Sequence, residues 1–381
     1  MSLRSHPVFF KALAGLGALA VAMGIGRFAF TPVLPMMIAD AGLDIRSGGL
    51  LASSNYLGYL LGALSATFFR LPVTRAIRFG LLFTGLLTVA MAAEFPFTVW
   101  AVLRFLAGVC SAWVLISVSS WNIDNLQDAQ RPWLGNLVFV GVGSGVTGAG
   151  LLCLALVHWH AHSSVAWLVL GLLALGITAL AWRQFEVPAK AENLAHKSAS
   201  PHTFRWNAEA VRMVVCYGAY GFGYILPATF LPVMAKAALN GSPVFGWSWV
   251  VFGLAAIASV WLAAPAVRWL GARKSWVMYH WVMGIGVALP AIHANLLTIL
   301  IAALCVGGTF IVVTVVAVQD AKRLTKGDAT QLIAAMTSAF ALGQVVGPFT
   351  VRGGADSFEW PLLLAATILI GSGALLLKKI D

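Results

Sequence analysis

Charge is what this sequence has least of. Only 10% of its 381 residues are Asp, Glu, Lys or Arg, while 60% are hydrophobic. That shortage excludes a large soluble domain and places the chain among polytopic membrane proteins. Acid is scarcer than base, at 13 residues against 24. Glu94, Asp124 and Asp320 stand at the ends of apolar runs, and no acid lies well inside one. There is no HExxH, no GxSxG and no pair of carboxylates within a run, so no catalytic constellation is available and the chain does not read as an enzyme. No GxxxxGK[ST] occurs, which excludes an ATP-binding loop and leaves an ion or solute gradient as the energy source. The four cysteines (Cys110, Cys153, Cys216, Cys305) fall inside apolar runs without CxxC spacing. They pack as small residues and form neither a disulfide framework nor a zinc site. No basic stretch interleaved with aromatics lies outside the runs, so the net charge of +11 does not point to nucleic acid. No cofactor is implied.

What is present is long apolar sequence. A helix needs about 20 such residues to cross a bilayer, and the charged residues delimit twelve spans. Six lie near 12–38, 47–69, 77–93, 97–122, 132–157 and 163–182, the last two separated by the turn His158-Trp159-His160-Ala161-His162. The one long polar stretch, 183–208, reads as a linker. Six more follow: 209–235, 244–267, two within 275–319 divided near His293–Asn295, 329–351 and 358–377. The expected organisation is an all-α bundle of residues 1–182, a linker of 183–208 and a second bundle of 209–381. The first run continues well past Ala22, so it reads as a span and not as a cleaved signal. With both termini cytoplasmic, only Arg46, Lys236 and Arg352 of the 24 basic residues fall on the far side, and Arg27 and Arg104 within spans. That asymmetry sets the orientation and predicts a multi-pass protein of the plasma membrane, of the bacterial inner-membrane type.

The halves repeat. Gly24-Ile25-Gly26-Arg27 through Leu34-Pro35-Met36-Met37 overlays Gly221-Phe222-Gly223-Tyr224 through Leu231-Pro232-Val233-Met234 without a gap, and the basic loops at 70–75 and 268–274 recur at nearly the same offset. Asp124 and Asp320 each end the fourth span of their half. Two related six-span halves are a transporter signature.

The sequence here resembles the major facilitator superfamily along essentially its whole length. Arg104-Phe105-Leu106-Ala107-Gly108 resembles that superfamily's fourth-helix arginine motif. Arg268-Trp269-Leu270-Gly271-Ala272-Arg273-Lys274 is similar to the basic part of its loop signature. The opening Gly-Ile-Gly-Arg-Phe…Leu-Pro-Met-Met resembles its YbfB/YjiJ-like branch. The first-half loop signature departs from the pattern, with Ala66 where the family's acid would stand, and the fifth-helix antiporter motif is absent. The resemblance implies twelve transmembrane helices in two pseudo-symmetric bundles, a small-molecule substrate and a coupling ion, proton or sodium. A monomer in the lipid bilayer is expected.

Arg27 is the strongest candidate for function. A guanidinium at mid-bilayer costs several kcal/mol and persists only where it faces protein or a water-filled cavity. With no acid inside any span, a substrate anion could neutralise it, and a small organic anion, including an amphipathic aromatic acid, is the expected cargo. Tyr217, Tyr220 and Tyr224 share one helical face, and Tyr224 is the repeat mate of Arg27. Asn55, Tyr59, Asn136 and Gln344 are polar residues on helices that, by the resemblance, line the cavity. Arg104 is expected either to hold the anion with Arg27 or to order its own helix. Asp124 and Asp320 are expected to latch onto loop arginines such as Arg70 and Arg268. His280 reads as a packed histidine. The alternatives are efflux of hydrophobic or cationic compounds, whose cue would be a carboxylate in the cavity, and a membrane sensor that does not transport.

Overall fold

The computed structural model describes residues 6–68, 71–126, 132–185, 206–239, 242–325, 329–351 and 358–378. Most of the stretch read as a linker lies outside them, as does Arg70. Inside a bilayer every backbone N–H and C=O must find a partner within the chain, and a helix satisfies them locally. The described residues accordingly form thirteen α-helices and no strand. The first half holds α1 (His6–Leu19), a π-helical segment (Ala20–Phe28), α2 (Phe30–Asp40), α3 (Ile45–Phe68), α4 (Val73–Ala90), α5 (Phe97–Leu126), α6 (Pro132–His158) and α7 (Ser163–Ala181). The second holds α8 (Ala208–Ala238), α9 (Trp247–Leu270), α10 (Ala272–Ile292), α11 (Leu296–Thr325), α12 (Thr330–Val346) and α13 (Glu359–Leu377).

Taken with the π-helical segment, α1 and α2 make one span, so twelve spans result. Eleven of these are long and apolar enough to cross a membrane by composition alone. The twelfth, α3, has 24 residues, about 36 Å at the helical rise, but carries the polar run Ser53-Ser54-Asn55-Tyr56. One span was expected over 12–38, and the π-helical segment lies within it. Residues 24–35 hold Gly24, Gly26, Pro32 and Pro35, which loosen the regular hydrogen-bond ladder.

Polar residues start several helices where the chain leaves the apolar core. Asn207 Oδ1 accepts from the Ala210 amide at 2.8 Å and caps α8. Asn295 and Thr298 exchange main-chain to side-chain bonds at the start of α11. Asp44, in the loop before α3, accepts from the Ser47 amide at 2.7 Å. That bond holds its carboxyl below the ordinary carboxylate range. Its contribution is therefore present above that range and is lost as pH falls through the lowered value.

Within the first half α3 lies along α5, α4 against α5 and α7, and the first span against α5 and α6. The second half repeats the plan: α10 lies between α11 and α13, α9 along α11, and α8 against α12 and α13. The repeat glycines explain the closeness. A Cβ on Gly24 would lie 2.4 Å from the Cα of Gly145 in α6, and one on Gly221 would lie 2.1 Å from the Phe340 carbonyl oxygen in α12. The two halves meet along α6 and α9, α2 and α8, and α3 and α12.

With an even number of spans, the start of α1 and the end of α13 lie at one end of the bundle, here the termini end; Asp40, Glu94 and His293 mark the distal end. At the termini end Arg273 donates to Asp320 and pairs with Glu209, which also pairs with Arg212. Arg212 and Arg273 further reach main-chain carbonyls at the end of α13. This cage fastens α8, α10, α11 and α13 together. The acid of α11 was expected to meet Arg268, but Arg268 is exposed and Arg273, two residues into α10, is the partner. Asp124, its counterpart in the first half, is exposed, and the neighbouring Asn125 accepts from Lys11 at 3.1 Å. Replacing Asp320 with Ala leaves Arg273 without its main acceptor, a loss of about 1.5–3 kcal/mol for a hydrogen bond to a charged group. A lowered unfolding temperature in Asp320→Ala, with Asp124→Ala unchanged, is the expected result of a thermal melt.

Candidate functional site

The site grows out of the irregular first span. Arg27 is the last residue but one of the π-helical segment and is 3% exposed. Widening the helix there displaces carbonyls from their usual partners, and two neighbouring helices supply donors for them. Arg104 Nη1 donates to the Gly26 carbonyl at 3.2 Å and Nη2 to the Arg27 carbonyl at 3.1 Å. Asn55 Nδ2 reaches the same Gly26 carbonyl at 3.5 Å and the Arg104 carbonyl at 2.8 Å. Ser111 Oγ donates to the Ala22 carbonyl at 2.7 Å. Arg104 also lies over the ring of Phe30, 4.8 Å from its centroid. Its guanidinium faces main chain, and Asn55 does the same from α3. Both hold the backbone that carries Arg27.

The side chain of Arg27 turns the other way, toward the second half. Its Nη2 donates to Gln344 Oε1 on α12, and Gln344 Nε2 donates to the hydroxyl of Tyr224 on α8. Arginine only donates, so the amide oxygen must face it, and that fixes the orientation of the whole amide. Tyr59 lies beneath the guanidinium, its ring centroid 4.1 Å from Cζ, with Tyr56 and Phe28 at 5.4 and 5.3 Å. Tyr224 in turn is stacked between Phe310 and Phe340, with centroids 6.0 and 5.6 Å away and planes within 10°. Among the described residues no carboxylate pairs with Arg27, and its Nε finds no acceptor.

Arg27, Tyr59, Tyr224 and Gln344 thus converge. Tyr220 stands one turn behind, its hydroxyl donating to the Phe310 carbonyl at 2.6 Å and its ring stacked on Tyr224. Tyr217 packs at a tilt against Tyr220, with ring centroids 5.4 Å apart. Asn136 is exposed near the termini end of α6. His280 is locked as a neutral ring: Trp276 donates to its Nε2 at 2.8 Å, so its Nδ1 carries the proton that faces Ser372 at 3.0 Å. Of the three histidines in the turn after α6, His162 lies 3.7 Å from Asp40, and no cluster of metal-binding side chains is present among the described residues.

A series of cross-half bonds runs from this site to the distal end. Thr31 donates to the Ala228 carbonyl at 2.6 Å, Tyr56 and Thr229 share a bond of 2.8 Å, Ser53 donates to the Val345 carbonyl at 3.0 Å, and Lys236 donates to the Pro35 carbonyl at 3.0 Å. Thr31 and Ala228 are themselves mates of the repeat, 197 residues apart. Mates that touch must flank the axis relating the halves. Arg27 and Tyr224, also mates, meet through Gln344 on that same axis. The distal end is closed, and Arg27–Gln344 is the last rung before the site. Tyr56, Thr31 and Phe340 were missed from sequence. Tyr56 and Phe340 sit three and four residues from Tyr59 and Gln344, so helical spacing pointed to them.

Two six-span bundles related by one axis are the architecture of a transporter of the major facilitator type. The chain superposes on the crystal structure of a mutant of the nucleoside transporter NupG with a TM-score of 0.75, covering 97% of this chain and 100% of that one at 13% identity. That likeness is one of fold. The family described as uncharacterised MFS-type transporter YbfB matches residues 19–377, and the chain belongs to this family. It is an integral, multi-pass membrane protein. No curated protein matches it.

Removing Arg104 tests its scaffold role. Arg104→Leu removes the side-chain donor to the Arg27 carbonyl and leaves the Gly26 carbonyl only the longer contact with Asn55, at about 1–3 kcal/mol for a buried group that loses its partner. A clear fall in unfolding temperature is expected, with partial recovery in Arg104→Lys.

Proposed function

We propose that this protein is a secondary active transporter that carries a small organic anion by alternating access, with Arg27 as the anion-binding group. The observation that carries this reading is the guanidinium itself. It is buried at mid-span, its protein partner is a neutral amide, and no described carboxylate neutralises it. Such a charge is retained for a ligand and not for stability. The tyrosines and phenylalanines around it offer an apolar surface to the rest of the cargo and favour an anion with an aromatic or apolar body. A cationic cargo would meet repulsion from Arg27 and has no acid there to hold it.

The substrate site lies where the halves meet, as rocking of one bundle against the other requires. In this reading the termini end faces the cytoplasm, following the distribution of Lys and Arg, and the distal end faces outward across a bacterial inner membrane. In this state the cross-half bonds keep the outward end closed. A proton or sodium gradient drives transport in a monomer. The test is a thermal-shift screen of purified protein against organic anions, cations and neutral solutes, repeated on Arg27→Ala. Stabilisation by anions alone, lost in Arg27→Ala, supports the reading; stabilisation by cations, or by anions in both proteins alike, contradicts it.

A further inference from the structure

We infer that the side-chain amide of Gln344 is an internal stand-in for the substrate's carboxylate, and that the cargo is a carboxylate which displaces it. The inference rests on Arg27 being the anion site. Three observations carry it. First, the amide occupies the place a planar carboxylate would take. Its oxygen accepts from Arg27, and its other arm points at the hydroxyl of Tyr224. A carboxylate has two acceptor oxygens in the same planar geometry, so one would take Arg27 and the other the Tyr224 proton. The amide can serve only the first of these, because its second arm is itself a donor.

Second, the site has more donors than acceptors. Arg27 Nε has no partner among the described residues, and among them Tyr224 receives a hydrogen bond from Gln344 with no acceptor seen for its own proton. Arg27, Tyr224 and Gln344 are 3%, 2% and 0% exposed. An acceptor-only, doubly faced group satisfies this set better than an amide does, and it brings the missing negative charge.

Third, the amide bridges the halves. Arg27 belongs to the first half and Gln344 to the second, and their bond is the rung of the distal closure nearest the site. A carboxylate that takes over Arg27 cuts this rung. Ser53 to the Val345 carbonyl, one residue further along α12, is the next to be loosened. Cargo binding and opening of the distal end are thereby linked through one side chain.

The test uses the full-length purified protein and needs no knowledge of the natural cargo. Gln344→Ala removes four heavy atoms, the same number that acetate contains. Acetate, acetamide and chloride are compared as sodium salts or neutral solute at equal ionic strength, by thermal melts of wild type, Gln344→Ala, Gln344→Glu and the double variant Arg27→Ala/Gln344→Ala. Acetate is expected to raise the unfolding temperature of Gln344→Ala by several degrees, more than it does for wild type. Acetamide is expected to do less and chloride nothing specific, and the acetate effect should vanish in the double variant. Gln344→Glu supplies a tethered carboxylate, so it should melt above wild type and show no acetate response. An acetate effect no larger in Gln344→Ala than in wild type overturns the inference, as does equal rescue by acetamide. If Gln344→Ala does not fold, a Gln344→Glu protein that melts no higher than wild type, or that still responds to acetate, does the same. Failure of the anion reading looks different: the wild type then shows no Arg27-dependent response to any anion in the wider screen.

Discussion

Arg27→Ala is expected to lower affinity for the transported anion by about 10- to 100-fold. A buried, charge-assisted hydrogen bond is worth about 1.5–3 kcal/mol, and a desolvated pair about twice a neutral one. Each 1.4 kcal/mol is about tenfold in a binding constant. Arg27→Lys should retain part of the effect, because an ammonium keeps the charge but not the planar fork, and it cannot stack as well on the ring of Tyr59. Binding titrations of the three proteins with an anion found in the screen measure this directly. Arg27→Ala strands the Gln344 amide oxygen but also removes a buried charge that no described carboxylate balances, so its cost in stability is expected to be smaller than that of Arg104→Leu. That separates it from Arg104, whose donors hold two carbonyls of the first span. Loss of binding with the smaller loss of stability at Arg27, and the larger loss of stability at Arg104, is the expected pattern.

The second large effect lies between α3 and α5. A Cβ on Gly58 would stand 1.9 Å from the Phe105 carbonyl oxygen, and one on Gly108 would stand 2.1 Å from the Asn55 carbonyl oxygen. These obstacles are backbone, so a helix must move. Gly58→Ala pushes α3 off α5, separates Asn55 from the Arg104 carbonyl and lifts Tyr59, one residue on, away from Arg27. Overpacking of this kind costs about 1–3 kcal/mol and sometimes more. Gly58→Ala is therefore expected to lose most of its folded yield, read by size-exclusion profile and thermal melt. Gly371, on α13, has open space where its Cβ would go, and Gly371→Ala should behave as wild type. Helical glycines in this protein thus differ by what lies opposite them, and sequence alone gives no sign of which is which.

The spans were legible because charge is so scarce that almost every charged residue marks a boundary. The turn at His158–His162 and the break near His293–Asn295 fell where α6 ends and α11 begins for that reason. The repeat was legible because Gly24 and Gly221, at one offset, meet the same physical demand: backbone approach to α6 in one half and to α12 in the other. The π-helical segment was not legible, since its widening depends on donors from Arg104, Asn55 and Ser111, which are far away in sequence. The direction of a long side chain was equally hidden. Arg104 and Arg27 are both intramembrane arginines, yet one faces main chain and the other faces the seam. Arg268 and Arg273 belong to one basic loop, and only helix geometry decides that Arg273 reaches Asp320. Gln344 was legible as a polar residue on a span, but its position between Arg27 and Tyr224 requires three helices from two halves to be placed together.

The most direct test of the central claim is flux. An anion identified in the screen, radiolabelled, is loaded against proteoliposomes of wild type and Arg27→Ala at matched protein density. Saturable uptake by wild type, with Arg27→Ala at the level of empty liposomes, is the predicted result. Uptake by Arg27→Ala at the wild-type rate would contradict the assignment of Arg27 as the group that holds the cargo.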